Sequence, residues 1–111
     1  MAMKPVERRL DVAWSRCVRA RGLRCERCNY PWTLEAHHIF SRRARSVRWD
    51  LENGVCLCLG CHSWQRHHPA DFLRWAEEHL GVEAFDALSA RARVIVKRTD
   101  GELAALLAEL A

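Results

Sequence analysis

The chain has 111 residues, half of them hydrophobic and 29% charged, with a formal charge of +4. That length suits one domain, and that composition excludes a disordered chain. No apolar run approaches the roughly 20 residues of a membrane span, and the opening MAMKPVERRLD lacks the apolar stretch of a secretory signal, so no membrane association and a cytoplasmic location are expected. In that reducing compartment six cysteines point to metal rather than to disulfides.

The charge is uneven. Residues 1–68 hold 13 Lys/Arg against 6 Asp/Glu, whereas residues 69–111 hold 5 against 8. A basic half suits a polyanionic partner, because cations displace condensed counterions from phosphates, although a mildly basic surface also serves solubility.

Residues 5–21 are predicted to be helical. Pro5 suits the first turn, Val6, Leu10, Trp14, Cys17 and Val18 fall near one face, and Gly22 suits the C-terminal cap. Arg8, Arg16 and Arg19 lie on the other face, which reads as solvated. A short loop with Cys25 and Cys28 follows, then an extended segment over 34–40. The stretch SRRARSVRWD, residues 41–50, has no apolar period and reads as a basic loop between two strands. Asn53-Gly54 is a turn signal, both residues tolerating positive φ, before a return strand at 55–58 and a helix starting near Cys61. Pro69 and Asp71 open another helix, which Gly81 closes. A neighbour is predicted over 83–97, with Phe85, Leu88, Ala92 and Ile95 on one face. Thr99 and Glu102 form a capping box for a last helix, whose stripe is Leu103, Leu106, Leu107 and Leu110.

Cys25-Glu26-Arg27-Cys28 and Cys58-Leu59-Gly60-Cys61 are two C-x-x-C pairs, the thiolate supply of a tetrahedral structural zinc. Two intervening residues let a turn aim both sulfurs at one ion, and Gly60 is expected to give the second turn its backbone freedom. A thioredoxin-like redox pair is the other reading of one C-x-x-C, but no βαβ pattern surrounds either. A four-cysteine zinc is coordinatively closed, so its expected job is folding rather than catalysis. Cys17 and Cys56 are left over and read as core residues.

His37-His38, Asn53 and His62 lie between and beside these pairs, in EAHHIFSRRARSVRWDLENGVCLCLGCH. Through the histidine pair, the Asn-x-x-x-Leu-Cys-x-x-Cys-His run and the first C-x-x-C, residues 23–68 resemble the HNH endonucleases. HHIFSR, Arg48-Trp49-Asp50 and the helical tail add a looser likeness to small phage-encoded members.

The resemblance implies an α+β fold: a small ββα-metal, treble-clef-like core over 23–68, stapled by a four-cysteine zinc, with an N-terminal helix over 5–22 and supporting helices over 69–111, all one domain. It implies hydrolysis of DNA phosphodiesters, by nicking or double-strand cleavage. By position His38 corresponds to the general base that takes a proton from water. His37 and His62 correspond to ligands of a catalytic divalent metal, which serves the charge developing on the phosphorane and the departing 3′-oxygen. His37 stands where the family often has Asp, and imidazole ligands favour Mn, Ni or Zn more than an all-oxygen site does, with Mg still open. Asn53 corresponds to the residue that ties the loop to the strand and orients the base.

Arg42, Arg43, Arg45, Arg48 and Arg66 are the expected phosphate contacts, since a guanidinium binds phosphate bidentately. His67 and His68 fall five and six residues after His62, off the spacing of an extra ligand, and fit the end of a helix equally. Trp32, Trp49, Trp64 and Trp75 read mostly as core, with Arg48-Trp49 the one pair placed to meet substrate. The resemblance also admits a targeting partner such as phage packaging machinery, with the host cytoplasm as location. The alternative is a zinc-stabilised nucleic-acid- or protein-binding module without catalysis.

Overall fold

Helix α1 covers Pro5–Gly22, with Pro5 in the first turn, where its missing N–H costs nothing. Val6, Leu10, Trp14 and Val18 recur at helical spacing, and the last three are buried. The cap differs from expectation: Gly22 is the last helical residue, and Leu23 takes the left-handed conformation (φ 61°), its N–H donating to the Arg19 carbonyl at 3.0 Å. Gly22 is constrained by packing instead, because a Cβ there would lie 2.5 Å from Cys56 Cβ. The computed structural model describes residues 3–111.

Strands β1 (Leu34–His38) and β2 (Gly54–Cys58) form a two-stranded antiparallel sheet, with Leu34 opposite Cys58 and His38 opposite Gly54. A basic loop and a single 3-10 turn, Leu51–Asn53, join them. Every residue of β2 is buried, which a strand covered on both faces requires. On one side α1 and the last helix α5 (Asp100–Leu110) build a core of Leu10, Trp14, Val18, Trp49, Cys56 and Leu103. On the other, α2 (Leu59–His67), α3 (Pro69–Leu80) and α4 (Val82–Ala92) contribute to a core containing Ile39, Val47, Val55, Leu57, Phe72, Ala76 and Leu88.

The described residues therefore form a small α+β fold, five helices around one hairpin. No helix among the described residues is long and apolar enough to cross a membrane.

Asn53-Gly54 does not make the expected left-handed turn. Gly54 is extended (φ −119°) and serves close approach: a Cβ would stand 2.5 Å from Val18 Cγ2 and 2.8 Å from Trp14 Cζ2. Gly60 lies inside the first turn of α2 and uses no positive φ, so the freedom expected of it is not needed. Helix α4 stops at Ala92, five residues before the predicted end, and Ile95 is 93% exposed. The run Val94-Ile95-Val96 is β-branched and poorly suited to helix. Arg98 holds the segment after α4 by donating to the carbonyls of Arg45 (2.8 Å) and Ser46 (3.2 Å). The capping box at Thr99 and Glu102 is present, and Gly81 (φ 91°) ends α3 as predicted.

Candidate functional site

The four thiols of Cys25, Cys28, Cys58 and Cys61 converge, their sulfurs all within 4.8 Å of one another. Cys25 and Cys28 flank a tight turn in which Asn29 N–H donates to the Cys25 carbonyl and Cys25 N–H to the Tyr30 carbonyl. Cys58 caps α2, and its sulfur accepts from the Cys61 N–H at 3.4 Å. A tetrahedron with metal–sulfur bonds of ~2.3 Å has edges of ~3.8 Å, and Cys28 Sγ to Cys58 Sγ is 3.6 Å. The arrangement fits a structural metal such as zinc.

Its electrostatics suit a cation. Burial, reinforced by the neighbouring thiols against Arg27, pushes Cys61 up to about 12. Burial also opposes ionisation of Cys25, but backbone hydrogen bonds at Cys58, Cys28 and Arg27 bring it down to about 7. A metal is what lets all four ionise together. Arg27 donates to Cys61 Sγ at 3.4 Å while lying 3.5 Å over the Trp64 ring, adding positive charge where thiolates would gather. The two leftover cysteines stay outside: Cys56 is buried against α1, and Cys17 Sγ donates to the Leu110 carbonyl at 3.2 Å.

Alternation along β1 sends His37 and His38 to opposite faces. His37 meets the α2–α3 side: its ring packs edge-on against Phe72 at 5.4 Å and lies 5.0 Å from the His62 ring. Two imidazoles bound to one ion at ~2.0–2.1 Å place their ring centres about 5 Å apart, so the pair could share a metal. His62 Nδ1–H donates to Glu35 Oε2 at 2.6 Å, so that in the neutral ring Nε2 carries the lone pair a metal could take. Sequence reasoning missed Glu35. The signal was its place two residues before His37, hence on the same strand face. Burial, then the charges of His62 and His38, hold His37 down at about 4, so it is neutral and ligand-competent at neutral pH.

His38 faces α1 and stacks on Trp14 at 3.9 Å, nearly parallel. Its Nε2–H donates to the Arg48 carbonyl at 2.8 Å, so in the neutral ring Nδ1 carries the lone pair. Burial is the main cause holding its pKa below the ordinary histidine value, which keeps the ring neutral. Both His37 and His38 line an open cleft of about 420 Å³, with Ser41, Arg42 and Gln65 on its walls.

Asn53 is fully buried and locks the loop. Its Nδ2 donates to the carbonyls of Phe40 (2.9 Å) and Val47 (3.1 Å), and its Oδ1 accepts from Phe40 N–H at 2.8 Å.

The arginines diverge. Arg42 is exposed on the cleft wall, 3.3 Å from Asp11, while Arg43 and Arg66 are exposed. Arg45 pairs with Glu7 at 3.0 Å. Arg48, expected at phosphate, is 6% exposed and spends its guanidinium on Asp11 at 2.8 Å; Trp49 Nε1–H donates to the same carboxylate. This pair is part of the core rather than of a contact surface.

Trp32, expected in the core, is 68% exposed. His67 donates to the Ser63 carbonyl, and His68 heads α3 3.9 Å from Asp71, so neither joins the histidine pair. His79 stacks on Trp75 and donates to Glu26 at 2.8 Å. Comparison with protein-family models, curated proteins and solved structures gives no match for this chain.

Proposed function

We propose that the chain is a metal-dependent endonuclease of the HNH type that hydrolyses DNA phosphodiesters, with the four-cysteine cluster as its structural zinc. The observation that carries the reading is His38: its Nε2–H is fixed on the Arg48 carbonyl, and the residue lines the same cleft as His37, which lies beside His62. A general base needs a neutral ring, one nitrogen anchored and the other free for a proton from water. His38 meets those conditions through Nδ1.

His37 and His62 are the residues that would hold a divalent ion, with Glu35 orienting the His62 ring. Such an ion supplies Lewis-acid stabilisation of charge on a phosphoryl group. Arg42, on the cleft wall, supplies a guanidinium for a non-bridging oxygen. Asn53 holds the 40–47 loop that leads to the Arg48 carbonyl. Arg48 holds His38 through its carbonyl, its guanidinium being spent on Asp11.

Supercoiled plasmid incubated with the zinc-loaded protein and Mg, Mn or Ni tests this. Nicking or linearisation is expected, lost in His38→Ala with zinc content and helicity unchanged. Glu35→Gln is expected to raise the metal concentration needed by about 10-fold or more, as loss of a partner that orients a ligand does. No cleavage with any metal, or full cleavage by His38→Ala, refutes the mechanism; duplex binding without cleavage would make the chain a zinc-stabilised binding module.

A further inference from the structure

Arg42 lines both the histidine cleft and a second, larger groove of about 830 Å³. This groove runs between the start of α1, the basic loop and the segment joining α4 to α5. Six cationic side chains line it, Lys4, Arg42, Arg45, Arg48, Lys97 and Arg98, against one carboxylate, Glu7.

Their pairings separate the structural cations from the free ones. Glu7 answers Arg45, Asp11 answers the buried Arg48, and Asp100 answers Lys4 at 2.8 Å. Arg42 must share Asp11 with Arg48, so one carboxylate faces two guanidiniums. Arg98 donates to carbonyls and thus keeps its full charge, in a position fixed by two hydrogen bonds. Lys97 is exposed and has no carboxylate within ion-pair distance among the described residues. Positive charge therefore persists along the groove from Arg42 to Lys97. Ile95, also lining it, is 93% exposed on the same segment.

We propose that this groove is a track for the backbone of duplex DNA leading away from the histidine cleft. Lys97, Arg98 and Arg42 meet successive phosphates, and Ile95 packs on sugar. The assignment rests on the nuclease reading for its choice of ligand. Fixed cations between low-dielectric walls, here Val96 and Leu103, raise the local concentration of a polyanion. A preorganised guanidinium loses less freedom on binding than a mobile lysine does.

The test is fluorescence anisotropy of a labelled duplex of about 20 base pairs with zinc-loaded protein and no other divalent ion, titrated at about 0.05–0.3 M salt. Lys97→Gln should bind about 5–10-fold more weakly at ~0.1 M salt and flatten the log–log salt slope by ~0.9, the loss of one phosphate contact. Ile95→Ser should weaken binding and leave the slope unchanged. Arg74→Gln, an equal charge change on α3 outside the groove, should bind as the parent does.

Parent-like binding by both Lys97→Gln and Lys97→Glu overturns the track, as does absence of duplex binding by the parent. Plasmid cleavage by the same proteins is read separately. Binding that depends on Lys97 without any cleavage upholds the track and removes the nuclease reading. Cleavage with an affinity indifferent to Lys97→Glu does the reverse.

Discussion

Replacing Asn53 by alanine should be among the most damaging single changes in this chain. The side chain is 0% exposed and makes three hydrogen bonds, two to Phe40 and one to Val47. Alanine leaves the Phe40 N–H and the Phe40 and Val47 carbonyls without that partner. With ~1 kcal/mol per neutral bond, and more where a group stays dry, a loss of about 3–5 kcal/mol follows. That is a large part of the ~5–15 kcal/mol that holds a domain folded.

Asn53→Asp should be worse, because it turns a donor facing two carbonyls into an acceptor and buries an acid. Urea unfolding of the zinc-loaded proteins, followed by tryptophan fluorescence, measures the difference. Activity should fall further than the folded fraction does, since the freed loop also carries the carbonyl that fixes His38. A loss below about 1 kcal/mol would show that the loop is held by something else and would refute the reasoning.

Gly54→Ala should destabilise by about 1–3 kcal/mol, because its methyl would press on Val18 and Trp14; Val18→Ala in the same chain should return part of the lost melting temperature, and strict additivity would contradict a direct clash. Cys58→Ser should lose bound zinc and cooperative unfolding, whereas Cys56→Ser should retain a full equivalent by metal analysis; zinc loss in Cys56→Ser would put that thiol in the cluster. Burial raises the Asp11 carboxyl, but donation by Arg48 and Trp49 and the charges of Arg48 and Arg42 leave it net below its ordinary 3.8. A depressed folded pKa means stability that is full above the unfolded value and is lost as pH falls through the folded one. The cost of Asp11→Asn should therefore be constant above about pH 5 and shrink below about pH 3.8, and a cost that grows on acidification would contradict the sign.

Much of the framework was legible because its signals are short-range. Pro5, Pro69, Gly81 and the Thr99–Glu102 box act within one helical turn, so the sequence places the ends they govern correctly. The C-x-x-C pairs were legible for the same reason, since each sets its own two sulfurs. That the pairs meet depends on the β1–β2 register, which sets Leu34 opposite Cys58 and is a contact between residues far apart in the chain.

Contacts between residues far apart in the chain lie outside that local reach. Arg48 looks like a phosphate ligand in a basic loop, and Asp11, 37 positions away, makes it a core ion pair. Gly54 reads as a turn until α1 lies against it. Ile95 fits a helical face whose other members, Phe85, Leu88 and Ala92, are packed, yet nothing covers Ile95 itself and the β-branched run leaves the helix. Side-chain type and local spacing are enough to mark two cysteine pairs suited to a metal and the neighbouring histidines beside them. Which charges remain free to act was decided by the fold, because ion pairing depends on distance through space and on burial.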